Sequence, residues 1–242
     1  HDRLERERGA WRLSSGTYQA LLVAPVLFHL AFIAIAYTDP GAYRALTDED
    51  GIVEWLQFAA LIAGGIGFLI LARRARGVGR RAAAIAALLA GIAFLVVAGE
   101  EISWGQRVVG WATPEVLQEQ NVQGETNLHN LHVAALLVRV GQLGAAAYGV
   151  LVPLAAIVLS GHLRRLDPIF IPPLAVVMFF LPLAAYWVVR IPYVPSFTMT
   201  RFSEVPELAF YVGIALVAGL NLRRGIARDG RAAMPRRATM EA

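Results

Sequence analysis

The sequence predicts an all-α polytopic membrane protein, one domain over residues 1–242, with six transmembrane helices and both termini in the cytoplasm. Three observations lead there. Hydrophobic residues make up 57% of the chain and charged residues 17%, whereas a soluble domain carries about a quarter charged residues. Several apolar runs approach or exceed the ~20 residues a helix needs to cross a bilayer. The basic residues, all 22 of them Arg, gather in short clusters between apolar runs. Alternating segments of ~10 residues, the mark of a transmembrane β-barrel, are absent. The chain has no Cys, which excludes disulfides, thiolate catalysis and thiolate metal sites. The formal charge of +4 is explained by topology, so nucleic acid is not an expected partner.

The elements follow in order. Residues 1–12 mix both signs and predict a short helix near the headgroups, with Trp11 and Arg12 as interfacial anchors. Their charge, and the length of the next run, argue against a signal peptide. Beginning at His1 without Met, the sequence is expected to be part of a longer chain. The first span covers about 18–37, with His29 inside it, expected to bond a neighbouring helix. A loop carrying Asp48, Glu49 and Asp50 leads to a second span, about 52–72. Glu54 falls in its first turn, where the helix dipole favours an anion. Gly64, Gly65 and Gly67 thin its middle and invite close approach by another helix. The third span is expected over 82–103, remaining helical to about Gln106. Thr113 and Pro114 predict the N-cap and first position of a short helix. The fourth span lies within 131–159, where Gly141 and Gly144 offer a seat for a crossing helix. The fifth covers 169–189, kinked by Pro172, Pro173 and Pro182. The sixth covers 205–222, entered through Ser203 with Glu207 in the first turn. No internal repeat stands out, which weighs against an inverted-repeat transporter.

Counting Arg by side sets the orientation. Seventeen fall at the N-terminus, in the 73–81 and 160–168 loops and in the tail; Arg44, Arg107, Arg139, Arg190 and Arg201 fall on or near the other side. The positive-inside rule then places the termini in the cytoplasm. The Arg-only usage suggests a bacterial origin, hence a multi-pass protein of the inner membrane. Twelve of the eighteen acids lie on the opposite, periplasmic side.

The chemistry-capable side chains concentrate in 99–132, GEEISWGQRVVGWATPEVLQEQNVQGETNLHNLH. If the fourth helix begins near Glu125, then Glu125, His129, His132 and Arg139 share one stripe within about 80°. On the third helix Glu100, Ser103 and Arg107 share a side. Imidazole and carboxylate suit zinc, iron or manganese. A divalent metal on His129, His132 and Glu100 or Glu125 would keep a position open for water to be activated for hydrolysis. Asn121, Gln123 and Asn127 are placed to orient such ligands. The same residues also fit a buried polar network, with Glu100 or Glu101 paired to Arg107, Arg139 or Arg190, or a proton relay. Trp104, Trp111, Trp187, Tyr193 and Phe197 predict an aromatic belt.

The blocks GEEISWGQR (99–107) and NVQGETNLHN (121–130) resemble an uncharacterised family of bacterial polytopic membrane proteins. The resemblance covers about the central third of the chain; it implies the same fold and no known activity. In size and topology alone the chain also resembles helical subunits around photosynthetic or respiratory complexes. Three functions are therefore open. The first is an accessory or scaffold subunit, with lipid and other membrane subunits as partners. The second is a metal-dependent membrane enzyme of hydrolase type. The third is a transporter.

Overall fold

The computed structural model describes residues 2–121, 126–128, 131, 135–159, 168–190 and 201–225. These are helical almost throughout; among them the one β-type pairing is an isolated antiparallel bridge between Asn121 and Leu131. Ten α-helices are described: α1 (Asp2–Ala10), α2 (Ser15–Thr38), α3 (Pro40–Thr47), α4 (Ile52–Gly77), α5 (Arg81–Glu101), α6 (Gln106–Val109), α7 (Glu115–Gln120), α8 (Ala135–Val158), α9 (Val177–Arg190) and α10 (Glu204–Arg224). Five are long and apolar enough to cross a membrane: α2, α4 with α3 before it, α5, α8 and α10.

The expected fifth span is the exception. Its continuous α-helix starts only at Val177, after 3-10 turns at Pro168–Phe170 and Leu174–Val176. Pro172 and Pro173 account for this. Neither has an N–H to give, and each drives the residue before it out of the α region. Pro173 itself sits extended at φ −67°, ψ 142°.

Glycine sets the packing of α4. A Cβ at Gly65 would lie 2.8 Å from Leu95 and 3.2 Å from the Gly91 carbonyl of α5. A Cβ at Gly64 would meet Ile214 at 3.1 Å, and one at Gly67 would meet Ala218 at 2.8 Å, both on α10. The small residues of α4 therefore bring two neighbours to backbone range, where dispersion takes over from the weak hydrophobic drive between helices in lipid. Gly141 and Gly144 behave otherwise: a Cβ added at either would meet no other part of the described residues within 4 Å. The seat on α8 is Gly149 instead, covered by the Phe180 ring of α9. Around it the core closes on fully buried Leu61, Ala146, Val176 and Leu183.

The N-terminal segment is not a loose anchor. Trp11 is buried at 5% exposure, with the Arg224 guanidinium 4.9 Å from its ring centroid. Glu7 accepts hydrogen bonds from the Tyr18 hydroxyl (2.7 Å) and the Leu174 amide (2.6 Å). The second of these ties α1 to the turn that opens α9. Burial raises the Glu7 carboxyl above its ordinary range, and the two donors pull it partly back. Ser14 caps α2 by accepting from the Thr17 amide at 3.1 Å. Beyond that cap α2 packs little against the bundle; Val23, Leu27, Leu30 and Ile33 are exposed. His29 uses its Nδ1 on the Pro25 carbonyl one turn back, 2.6 Å away, so its bond stays within its own helix.

Candidate functional site

The site starts where α5 stops. The helix ends at Glu101, and Ser103, Trp104 and Gly105 follow with φ of 47°, 56° and 78°. Two non-glycine residues in left-handed conformation cost about 1–2 kcal/mol each. The expected helix to Gln106 is therefore cut at Ile102, and the predicted shared side of Glu100, Ser103 and Arg107 does not form. The reason lies in what the reversal gains. It folds the Trp104 ring onto Gly99, where a Cβ would sit 2.8 Å from the indole. The indole Nε1 then donates to Glu100 Oε1 at 2.7 Å.

Glu100 is 7% exposed, and its other oxygen, Oε2, accepts from the Leu128 amide at 2.5 Å. Both donors are needed. A carboxylate at a helix C-terminus faces the negative end of the dipole and must be compensated. Next to it, Ser103 Oγ accepts from Asn127 Nδ2 at 2.9 Å. Asn121 Nδ2 donates to the Asn127 carbonyl (2.9 Å) and to its Oδ1 (2.7 Å). Gln106 completes the layer. Its Oε1 accepts from the Thr126 amide at 2.7 Å, and its Nε2 donates to Thr113 Oγ1 at 2.6 Å and to the Trp111 carbonyl at 3.2 Å. Thr113 is thus used by Gln106 and does not cap α7; Pro114 occupies that position and Glu115 begins the helix.

Of the expected metal ligands only Glu100 is described. Glu125, His129 and His132 lie outside the described residues, as does the side chain of Arg107. Among the described residues no group of three His, Cys, Asp or Glu is arranged to hold a metal ion. The predicted stripe does not form as a continuous helical face. Residues 126–128 are not helical, Leu131 is held by the bridge to Asn121, and α8 is described over Ala135–Val158. An angle of 100° per residue therefore cannot be carried from Glu125 to Arg139. Asn127 gives the physical cause: its side chain and carbonyl are committed to Ser103 and Asn121, in competition with helical bonding.

The remaining members of the expected network separate. Arg139 lies over the Trp187 ring, 5.8 Å from its centroid, and Arg190 Nε donates to the Tyr186 hydroxyl at 3.2 Å. Neither takes the Glu pair as expected. Glu101 accepts from the Tyr211 hydroxyl of α10 at 2.8 Å. Of the expected aromatic belt Trp104 and Trp111 are exposed and Trp187 is buried; Tyr193 and Phe197 lie outside the described residues.

A second polar group, unforeseen as a set, lies at the same end of the bundle. Gln57 of α4 is fully buried, and its Nε2 donates to the Glu204 carbonyl (2.9 Å) and to Glu204 Oε2 (3.2 Å). Glu204 in turn lies in the electrostatic field of Glu207, Glu101 and Glu54. Glu54 stands in the first turn of α4, as expected, and accepts from the Asp50 amide just before it. The available signal was a lone Gln inside the apolar run 52–72. A polar side chain there requires a partner, but spacing does not say that the partner is 147 residues away. No protein-family model, no curated protein and no solved structure matches this chain.

Proposed function

We propose that this chain is an integral accessory or scaffold subunit of a larger assembly in the bacterial inner membrane, of the photosynthetic or respiratory kind. In this reading it crosses six times, with both termini in the cytoplasm and the Glu100 layer on the periplasmic side. The sixth crossing is α9 with its preceding turn. Leu174–Arg190 rises about 25 Å at 1.5 Å per residue, close to the ~30 Å of a hydrocarbon core.

One observation carries the proposal: the carboxylate best placed to do chemistry is spent on structure. Both Glu100 oxygens accept from groups that fix the chain reversal, the Trp104 indole and the Leu128 amide. Ser103, Asn121 and Asn127 are likewise committed to one another. A fixed cap at one end of a helix bundle suits a part that holds others in place. The sparsely packed, apolar length of α2 gives such a subunit a surface to lay against a neighbour or lipid.

Mild extraction from the native membrane tests this. The expected result is co-migration with other membrane subunits in stable stoichiometry, retained when Glu100 is changed to Gln. A chain that purifies alone, with one equivalent of zinc, iron or manganese lost on His129→Ala or His132→Ala, would overturn it in favour of a metal-dependent enzyme.

A further inference from the structure

We infer that the α4–α5 pair carries a seat for one anionic phospholipid, its phosphate held between Arg73 and Arg81 and its acyl chains laid along an aliphatic face that the two helices share. Such a seat requires only that α4 and α5 cross a bilayer, whatever the chain's role in an assembly. Charge is the first reason. Arg73 and Arg81 are exposed, and neither has a hydrogen bond or ion pair with any described residue. Arg74 beside them is committed: its Nη1 donates to the Leu222 carbonyl at 3.1 Å and ties the end of α4 to α10. No acid stands in the sequence between Glu54 and Glu100. About 28 Å of helix separates Glu54 from Arg73, and the same length separates Arg81 from Glu100. On α1, Glu5 pairs with Arg8, and Glu7 accepts from Tyr18 and Leu174. The two guanidinium groups are left for an anion from outside the chain.

The apolar surface beside them fits a lipid. On α4, Ile66, Ile70 and Arg73 lie within about 60° of one another around the axis; on α5, Arg81, Ile85 and Ile92 lie within about 40°. The four isoleucines are 41–59% exposed. The close approach of Gly65 to Leu95 and of Gly91 to Leu69 fixes how the helices face each other. Each stripe stands about 70–90° around its own helix from that contact, in the same sense along the chain. The two helices run in opposite directions, so equal offsets put both stripes on one side of the pair. Each stripe thus runs up to an arginine at the same end. From Ile92 to Arg81 the rise is about 17 Å, close to half of a ~30 Å hydrocarbon core, the depth of one leaflet. A helix of another subunit is a poorer occupant. Helices in lipid dock on small residues, and Gly65 and Gly91 are already used between α4 and α5. The shared face offers branched aliphatics, which suit mobile acyl chains, and basic groups at a helix junction suit an anionic headgroup.

The test is native mass spectrometry of the full chain in detergent, titrated with dioleoylphosphatidylglycerol and, separately, with dioleoylphosphatidylcholine. The wild-type chain is expected to retain a single phosphatidylglycerol about 10- to 30-fold more tightly than phosphatidylcholine. The double variant Arg73→Gln, Arg81→Gln should lose that preference. Arg6→Gln with Arg12→Gln removes the same charge from exposed positions at the N-terminus and should keep it. Equal retention of the two lipids by the wild-type chain overturns the seat, whether or not the variants fold. A preference that survives the Arg73 and Arg81 changes overturns it as well, and so does one lost equally in the N-terminal control, which would make it an effect of net charge. Glycerol 3-phosphate, the headgroup chemistry without acyl chains, should not displace the bound lipid at equal concentration; displacement would leave a bare anion site and overturn the lipid seat.

Discussion

Replacing Glu100 by Gln keeps the shape of the side chain and converts one of its two acceptors into a donor. In the native layer both oxygens accept, one from the Trp104 indole at 2.7 Å and one from the Leu128 amide at 2.5 Å. Whichever way the new amide turns, an N–H meets an N–H. A hydrogen bond to a charged acceptor contributes about 1.5–3 kcal/mol, and a buried donor left unsatisfied costs about 1–3 kcal/mol. These terms overlap, so the layer should lose about 2–4 kcal/mol of local stability. Glu100→Ala loses both acceptors and should lose more. The readout is hydrogen exchange at the Leu128 amide in nanodiscs. Local opening would become about 30- to 700-fold more frequent in Glu100→Gln, at 1.4 kcal/mol per tenfold. The Glu101→Gln variant is the control. Its known contact is with Tyr211 on α10, so it should leave exchange at Leu128 nearly unchanged. If the Leu128 amide stays protected in both Glu100→Gln and Glu100→Ala, Glu100 does not hold the reversal, and the structural use of this carboxylate is refuted.

Further predictions follow from packing and charge. Gly65→Ala should destabilise the α4–α5 contact by about 1–3 kcal/mol, because its Cβ would meet Leu95 at 2.8 Å; a paired Leu95→Ala should recover part of the loss in thermal unfolding. Gly144→Ala, whose added Cβ would meet nothing within 4 Å among the described residues, should be neutral or stabilising by up to about 1 kcal/mol in the same assay. Arg139→Gln should remove the contact over Trp187, cost about 0.5–1 kcal/mol and alter the Trp187 emission. Glu7 gives a pH dependence of known sign. Its folded pKa is raised by burial, so the native state holds the proton more tightly than the unfolded chain. Its contribution is fully present below the ordinary value of 4.5 and is lost as pH rises through the raised value. Near-ultraviolet dichroism of Trp11 should follow that loss, and Glu7→Gln should flatten it.

Much of the scaffold was legible because its causes are local and repetitive. Long apolar runs declare helices, and Gly64, Gly65 and Gly67 declared a crowded face without naming the neighbour. Pro172 and Pro173 announced a disturbance, but its extent depended on how far the turn before Val177 could remain extended against the core. The polar layer was harder. Its pivot is a left-handed Ser103–Trp104 pair, a conformation these residue types disfavour. Only contacts distant in sequence, Glu100 to Leu128 and Ser103 to Asn127, make it affordable. A helical projection assumes the local preference wins, and here it loses. Gln57 and Glu204 escaped for a related reason: periodicity shows a polar residue in an apolar run and is silent on what answers it.

The tie between Glu7 and the Leu174 amide spans 167 residues, and this separation has a consequence in time. Chains emerge at about 5–20 residues per second, so α1 would wait roughly 10–30 seconds for its partner to be made. During that interval Trp11 and Glu7 lack the surfaces that later cover them. Insertion of the intervening spans must proceed without α1 docked, and α1, made before all of them, becomes one of the last to dock. A substitution at Glu7 would then slow the closing step of assembly while leaving insertion of the spans untouched.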